Sequence, residues 1–252
     1  MLHSVAIGDA GFELHYQDAG EGPPLALAHG FSANHLSWWQ QLPTFGEAYR
    51  CIAPDQRRFG LSVDPTDRGV AAFPEDLAAL LDSLDVDRTA LLGHSMGGWT
   101  AGSFATQHPD RVAALVLSAS PGGLIPPDRH RELIEAGADA VPEVEEPSPE
   151  RAFLEDAIAE LNRDAPPEWK AARPTLDDLP LDADTILEAE IPVLVIVGEG
   201  DPFMPAPAVE AVGDRLDAEA VVIEDAAHSA YFEQPEAFNR AVLDFLADRA
   251  RY

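Results

Sequence analysis

The chain has 252 residues, 46% of them apolar, with four Trp and eleven Phe; it can bury a large core, as one domain or two small ones, and is not a disordered polymer. Sixteen basic against 45 acidic residues give a net charge of −29, which repels nucleic acid and anionic membranes and argues against both as partners. No apolar run approaches a membrane span, and Cys51 is the only cysteine, so an internal disulfide and a thiolate metal cluster are excluded.

The first basic residue is Arg50 and Lys170 is the only lysine. Without the basic region of a secretory signal, a cytoplasmic protein is expected. The acidity has two readings: adaptation to a high-salt, halophilic cytoplasm that screens self-repulsion, or an ordinary acidic protein.

Residues 2 to 19 alternate loosely around Gly8-Asp9-Ala10-Gly11 and predict a β-hairpin whose second strand is Phe12 to Gln17. Leu25 to Ala28 reads as a short buried strand ending in His29-Gly30-Phe31-Ser32. Asn34 to Leu42, carrying Trp38 and Trp39, reads as a short helix, and Arg50 to Ala53 as the next strand, with Cys51 a small buried hydrophobe. Pro74 opens an amphipathic helix with Leu77, Leu80, Leu81 and Leu84 on one face. Thr89 to Leu92 is a strand, Trp99 to Ala105 a helix and Val112 to Leu117 a strand. Strands alternating with helices predict a largely parallel sheet covered on both faces.

From Pro121 to about Glu190 no strand pattern appears, prolines are frequent, and nineteen acidic residues face six basic ones. One helix is marked there, with Ser148 as cap, Pro149 at its first position and Phe153, Leu154, Ala157, Ile158 and Leu161 on one face. Ile191 to Val197 resumes the sheet, Ala206 to Leu216 is a helix, Ala220 to Ile223 the last strand, and a closing helix from Pro235 buries Phe238, Ala241, Val242, Phe245 and Leu246.

The informative stretch is Gly93-His94-Ser95-Met96-Gly97-Gly98, between a strand and a helix. Gly-x-Ser-x-Gly in that context holds a serine on a sharp turn above the sheet edge; an ordinary glycine turn has the same pattern. A serine nucleophile needs a base, and the base needs an acceptor that fixes its tautomer. His228 follows the last strand and Asp201 follows the strand ending at Val197. All three thus fall at carboxyl ends of strands, in the chain order Ser, Asp, His. Glu199, Glu224 and Asp225 compete as the acid; the last two lie too near His228 in sequence to orient it without strain.

With these residues the chain resembles the α/β-hydrolase fold serine hydrolases of the esterase, lipase and lactonase type, over nearly all of residues 10 to 248. Gly93 to Gly98 resembles the family's nucleophile elbow, Gly198-Glu199-Gly200-Asp201-Pro202 its acid turn, and Ala227-His228 with Glu233-Gln234-Pro235 its histidine loop. His29-Gly30-Phe31 resembles a single-glycine oxyanion turn. The resemblance implies an eight-stranded, mostly parallel sheet with helices on both faces and a helical cap after the sixth strand. The core would be 1–120 and 187–252, the cap 121–186. It further implies a catalytic Ser95–His228–Asp201 set, an oxyanion hole from the Phe31 and Met96 backbone amides, no metal and no cofactor. His94 and His29 are expected to be structural, and His35, Trp38, Trp39 and Trp99 to lie in the core. One departure stands out: Arg58 occupies a position where the family has glycine, so its loop either avoids positive φ or holds strain.

Hydrolysis of a small carboxylic ester or lactone through an acyl-enzyme is the expected activity, in a monomer or homodimer. Hydrolytic carbon–carbon cleavage, perhydrolysis and thioester hydrolysis share the same triad, and a non-catalytic ligand receptor is the alternative of another class. Serine at the elbow argues against the related dehalogenases and epoxide hydrolases, which carry Asp there.

Overall fold

The computed structural model describes residues 1–8, 12–64, 66, 68–137, 149–162 and 179–252. Among these residues, eight strands form one sheet. They are β1 (Leu2–Ile7), β2 (Phe12–Ala19), β3 (Pro24–Ala28), β4 (Arg50–Pro54), β5 (Thr89–His94), β6 (Val112–Ser118), β7 (Val193–Gly198) and β8 (Glu219–Ile223). Their spatial order is β1-β2-β4-β3-β5-β6-β7-β8. β1 and β2 pair antiparallel, β2 meets β4 antiparallel, and every later pairing is parallel. This is the doubly wound architecture that the resemblance implied. No helix among the described residues is long and apolar enough to cross a membrane.

The parallel strands are continuous apolar runs because both faces are covered; β5, β6 and β7 are buried throughout. Successive residues serve opposite cores. Leu91, Leu115, Leu117 and Val195 pack on one face with Leu80 and Leu81 of α2 (Phe73–Ser83), Phe104 of α3 (Met96–Gln107) and Leu133 of α4 (Pro127–Gly137). Leu92, Val116, Leu194 and Ile196 pack on the other with Trp38 and Phe45. Beyond α4 lie α5 (Pro149–Leu161), α6 (Ala183–Glu188), α7 (Ala206–Leu216), a short α8 (Ala230–Glu233) and α9 (Pro235–Arg249). α7 supplies Val209 and Val212 to the first core, and α9 supplies Phe238, Val242 and Phe245 to the second. β8 is the exposed edge, with Val222 half in solvent.

Three expectations are corrected. Asn34 to Leu42 is not one helix: a 3-10 turn (His35–Trp38), capped by the Asn34 carboxamide, precedes α1 (Gln41–Phe45). Pro43 explains the break, since its missing N–H and its ring are tolerated only in the first turn of a new helix. Trp39 is 46% exposed and Phe153 of α5 is 76% exposed. α5 buries Ile158; the rest of its predicted apolar face does not reach a core. Its expected cap, Ser148, and the Asp9-Ala10-Gly11 part of the first hairpin turn lie outside the described residues.

Candidate active site

The elbow is built by close packing. Ser95 joins β5 to α3 with φ 51° and ψ −116°, a conformation that costs a non-glycine residue about 1–3 kcal/mol. Two backbone hydrogen bonds hold it: the Ser95 N–H donates to Ser118 O at 2.8 Å, and the Gly98 N–H to Ser95 O at 2.9 Å. A Cβ on Gly93 would stand 2.3 Å from Gly97 O, and one on Gly97 2.0 Å from Ala28 O. Backbone occupies the space, so only glycine fits on either side of Ser95.

The structure brings Ser95, His228 and Asp201 together. Ser95 Oγ lies 3.0 Å from His228 Nε2, while His228 Nδ1 lies 3.0 and 3.1 Å from the two Asp201 carboxylate oxygens. With Nδ1–H donating to the carboxylate, Nε2 is left to accept the serine proton. Asp201 is 1% exposed, and its Oδ1 also accepts the Phe203 and Met204 amides. Those donors satisfy a carboxylate that burial would otherwise penalise. The acid turn and the histidine loop interlock through backbone: Gly200 N–H donates to Ala226 O, and a Cβ on Gly198 would meet Ala227 O at 2.1 Å. Glu199, Glu224 and Asp225 are exposed.

Two further histidines support this arrangement without facing solvent. His94 Nδ1 sits 3.2 Å from Ser118 Oγ, and its ring lies 5.0 Å from that of His228 and 4.7 Å from that of Tyr231. Burial, and then the neighbouring His228, hold its pKa well below the ordinary value. It is thus held neutral beside the His228 ring. The Phe203 ring meets the His228 ring in a T-shaped contact, centroids 4.9 Å apart.

The His29-Gly30-Phe31 turn lies against the serine: a Cβ on Gly30 would fall 3.3 Å from Ser95 Cβ. His29 is fully buried; its Nδ1–H donates to Gly30 O at 2.8 Å and its Nε2 accepts the Gln56 N–H at 2.9 Å. Gln56 donates its amide to His29 O and accepts from Thr100 Oγ1 of α3. Burial lowers the His29 pKa to about 4, so the ring is neutral near pH 7. Met96 opens α3, and amides of a first helical turn have no intrahelical acceptor to use. Gly30, next to Phe31, and Met96 thus border Ser95 from two segments.

Arg58 resolves the departure noted in the sequence: it adopts φ 73° and holds the strain, its N–H donating to Ser62 O. Gly60, at φ 55°, is indispensable in the same loop, because a Cβ there would stand 2.2 Å from the Asp55 carboxylate. Asp55 is buried and accepts from His35 N, His35 Nδ1 and Leu61 N, which outweigh burial and lower its pKa. Cys51 is buried and its thiol pKa is raised to about 12 by burial. Among the described residues, no group of three His, Cys, Asp or Glu side chains could hold a metal ion.

Sequence reasoning missed Gln56, Thr100, Tyr231 and Phe203, and it placed Glu233 in the histidine loop without giving it a role. Its role is a backbone contact: the Glu233 carboxylate accepts the amide of Ala227, next to His228, just before the helix that Pro235 opens.

Comparison with known proteins bears on the family and the fold. Residues 23–146 match a family model described as the alpha/beta hydrolase fold, and residues 167–251 one described as TAP-like protein. The 2-hydroxy-6-oxononadienedioate/2-hydroxy-6-oxononatrienedioate hydrolase of Paraburkholderia xenovorans is 30% identical over 95% of this chain and 92% of its own. Epoxide hydrolase 3 of Xenopus tropicalis is 27% identical over 97% of this chain and 77% of its own. A thermophilic esterase from Thermogutta terrifontis superposes with a TM-score of 0.79 at 29% identity, covering all of both chains.

Proposed function

Given that the chain belongs to the alpha/beta-hydrolase fold family, with hydrolases among its relatives, we propose that it is a serine hydrolase cleaving a small carboxylic ester or lactone. The observation that carries this reading is the 3.0 Å contact of Ser95 Oγ with His228 Nε2, whose other nitrogen rests on the buried Asp201. Ser95 Oγ attacks the carbonyl carbon as its proton passes to His228 Nε2. The oxyanion forms between the Phe31 and Met96 amides, each donor being typically worth about 3–4 kcal/mol of barrier. His228 returns the proton to the leaving alkoxide; a water then attacks the acyl-serine, giving its proton to His228, which hands it back to Ser95 as the acid departs. Asp201 holds the imidazole tautomer and stabilises its cation. Serine suits acyl chemistry and not epoxide opening, because an alkylated serine is an ether that water does not release, whereas an alkylated carboxylate is a hydrolysable ester.

The second reading is hydrolytic carbon–carbon cleavage of a dienoate, favoured by the names of relatives such as the Paraburkholderia hydrolase. The net charge of −29 ranks it lower, since an anionic substrate meets a repelling field where a neutral ester or lactone does not. We read residues 121–186 as a cap whose lining selects the acyl group, a view supported by the hydrogen bonds of α5 to Asn34 and Glu233. The test is labelling by a fluorophosphonate, lost in Ser95→Ala and His228→Ala, followed by a panel of aryl esters, lactones and ring-fission dienoates. A protein that turns over only the dienoate overturns the ester reading; absence of labelling in molar KCl overturns the serine hydrolase.

A further inference from the structure

α5 lies between β6 and β7 in sequence, yet its two ends hold different loops of the site. At its start, Arg151 Nη1 donates to Glu233 Oε1 at 2.7 Å, and the other oxygen of Glu233 accepts the Ala227 N–H, next to His228. The pair is partly buried, with side-chain exposures of 23% and 15%. Past the other end, Asn162 works in both directions. Its Nδ2 donates to Ala33 O at 3.1 Å, while its Oδ1 accepts the Gly60 N–H at 2.6 Å and the Asn34 amide at 3.2 Å. Ala33 closes the oxyanion turn, its N–H reaching Gly30 O around Phe31. The Asn34 amide also bonds Ile158 O of α5.

Eleven residues at ~1.5 Å rise separate Arg151 from Asn162, about 16 Å, a span that reaches from the oxyanion turn to the histidine loop. α5 has a single buried apolar residue, Ile158. Its polar end contacts, rather than a hydrophobic seam, thus set where it sits, and through them α5 and the two loops fix one another.

We propose that Arg151 and Asn162 are positioning residues: α5 is a brace across the site, holding His228 in register through Glu233 at one end and the Phe31 amide through Ala33 at the other. This rests on the reading of Ser95, His228 and Phe31 given above. Neither residue touches the reacting atoms, so each acts on the geometry of a group that does.

The experiment compares wild type with Arg151→Met, Arg151→Lys, Asn162→Ala and Asn162→Asp in molar KCl, using p-nitrophenyl acetate turnover and the rate of fluorophosphonate labelling. Arg151→Met and Asn162→Ala are each expected to lower kcat and the labelling rate about tenfold with KM within about twofold, since sub-ångström misplacement of a catalytic group is costly in rate. Arg151→Lys, which keeps a cation for Glu233, restores most of the loss; Asn162→Asp, which keeps the acceptor and loses the donor to Ala33, does not. Arg151→Met combined with Asn162→Ala costs less than the product of the two losses, because cutting either end already frees the shared brace, and a full product would overturn the brace in favour of two separate contacts. Unchanged kcat in both single variants, or a rise in KM alone, overturns the brace and makes α5 a wall of the substrate pocket. A matching fall in melting temperature that Arg151→Lys leaves unrepaired also overturns it. Wild type that labels normally while the variants match it fails the brace alone; wild type that does not label fails the serine hydrolase on which it rests.

Discussion

Acid should unlock the His29-Gly30-Phe31 turn through His29, and the size of the effect follows from its burial. In the unfolded chain His29 takes up a proton below its ordinary value of 6.5; in the folded chain burial delays this to about 4. Above pH 6.5 neither state holds the proton and the full stability is present. As pH falls from 6.5 to 4 only the unfolded chain binds it, so stability is lost across that window and levels off below it. At ~1.4 kcal/mol per pH unit the total is about 3 kcal/mol, most of it gone by about pH 4.5. Protonation would also place an N–H on Nε2 against the Gln56 N–H that now donates to it, displacing the Gly30–Phe31 turn. The assay is urea unfolding of wild type and His29→Gln at about pH 7 and about pH 4.5, in molar KCl so that the changing net charge is screened. Wild type should lose about 2–3 kcal/mol more than the variant over that interval. His94, buried beside His228, bends the curve in the same sense in both proteins. Parallel loss in the two proteins would refute the buried neutral imidazole as the source.

Asp201→Asn keeps an oxygen for the Phe203 and Met204 amides and removes the charge behind His228; a fall in kcat of about 10³–10⁴ with an unchanged melting temperature is expected, and undiminished turnover would reduce Asp201 to a turn residue. Gly97→Ala drives a methyl to 2.0 Å from Ala28 O in a central strand; a loss of more than about 3 kcal/mol in chemical unfolding, or of soluble protein, is expected, and wild-type stability would contradict the packing at the elbow. The melting temperature should climb steeply from dilute buffer to molar KCl as screening relieves a net charge of −29; a gain no larger than an ordinary protein shows would leave the acidity without a salt-adaptive meaning.

The sheet was readable because its strands are either alternating or wholly apolar, as Phe12, Leu14 and Tyr16 of β2 and all of β6 show. The proximity of Ser95, Asp201 and His228 was readable for a different reason: each ends a strand of a parallel sheet, and topology alone places such residues on one edge. Asn34 to Leu42 misled because an apolar pattern hides a helix break, which Pro43 reveals only when the first-turn rule is applied to it. Trp39 and Phe153 misled because hydrophobicity predicts burial only where a partner surface exists. Arg151, Asn162 and Gln56 left no mark at all. Their partners lie 82, 129 and 27 residues away in sequence for Glu233, Ala33 and His29, and hydrogen bonds of that separation have no local periodicity.

The contact between Ser95 and His228 joins residues 133 positions apart, and that distance has a meaning for the chain while it is being made. A ribosome finishes the nucleophile and its elbow long before it reaches β8 and the loop behind it. During that interval, on the proposed reading, the serine has no base and is an inert alcohol. On the proposed reading, reactivity arrives only with Asp201 and His228, so a copy broken before them would carry no hydrolytic activity.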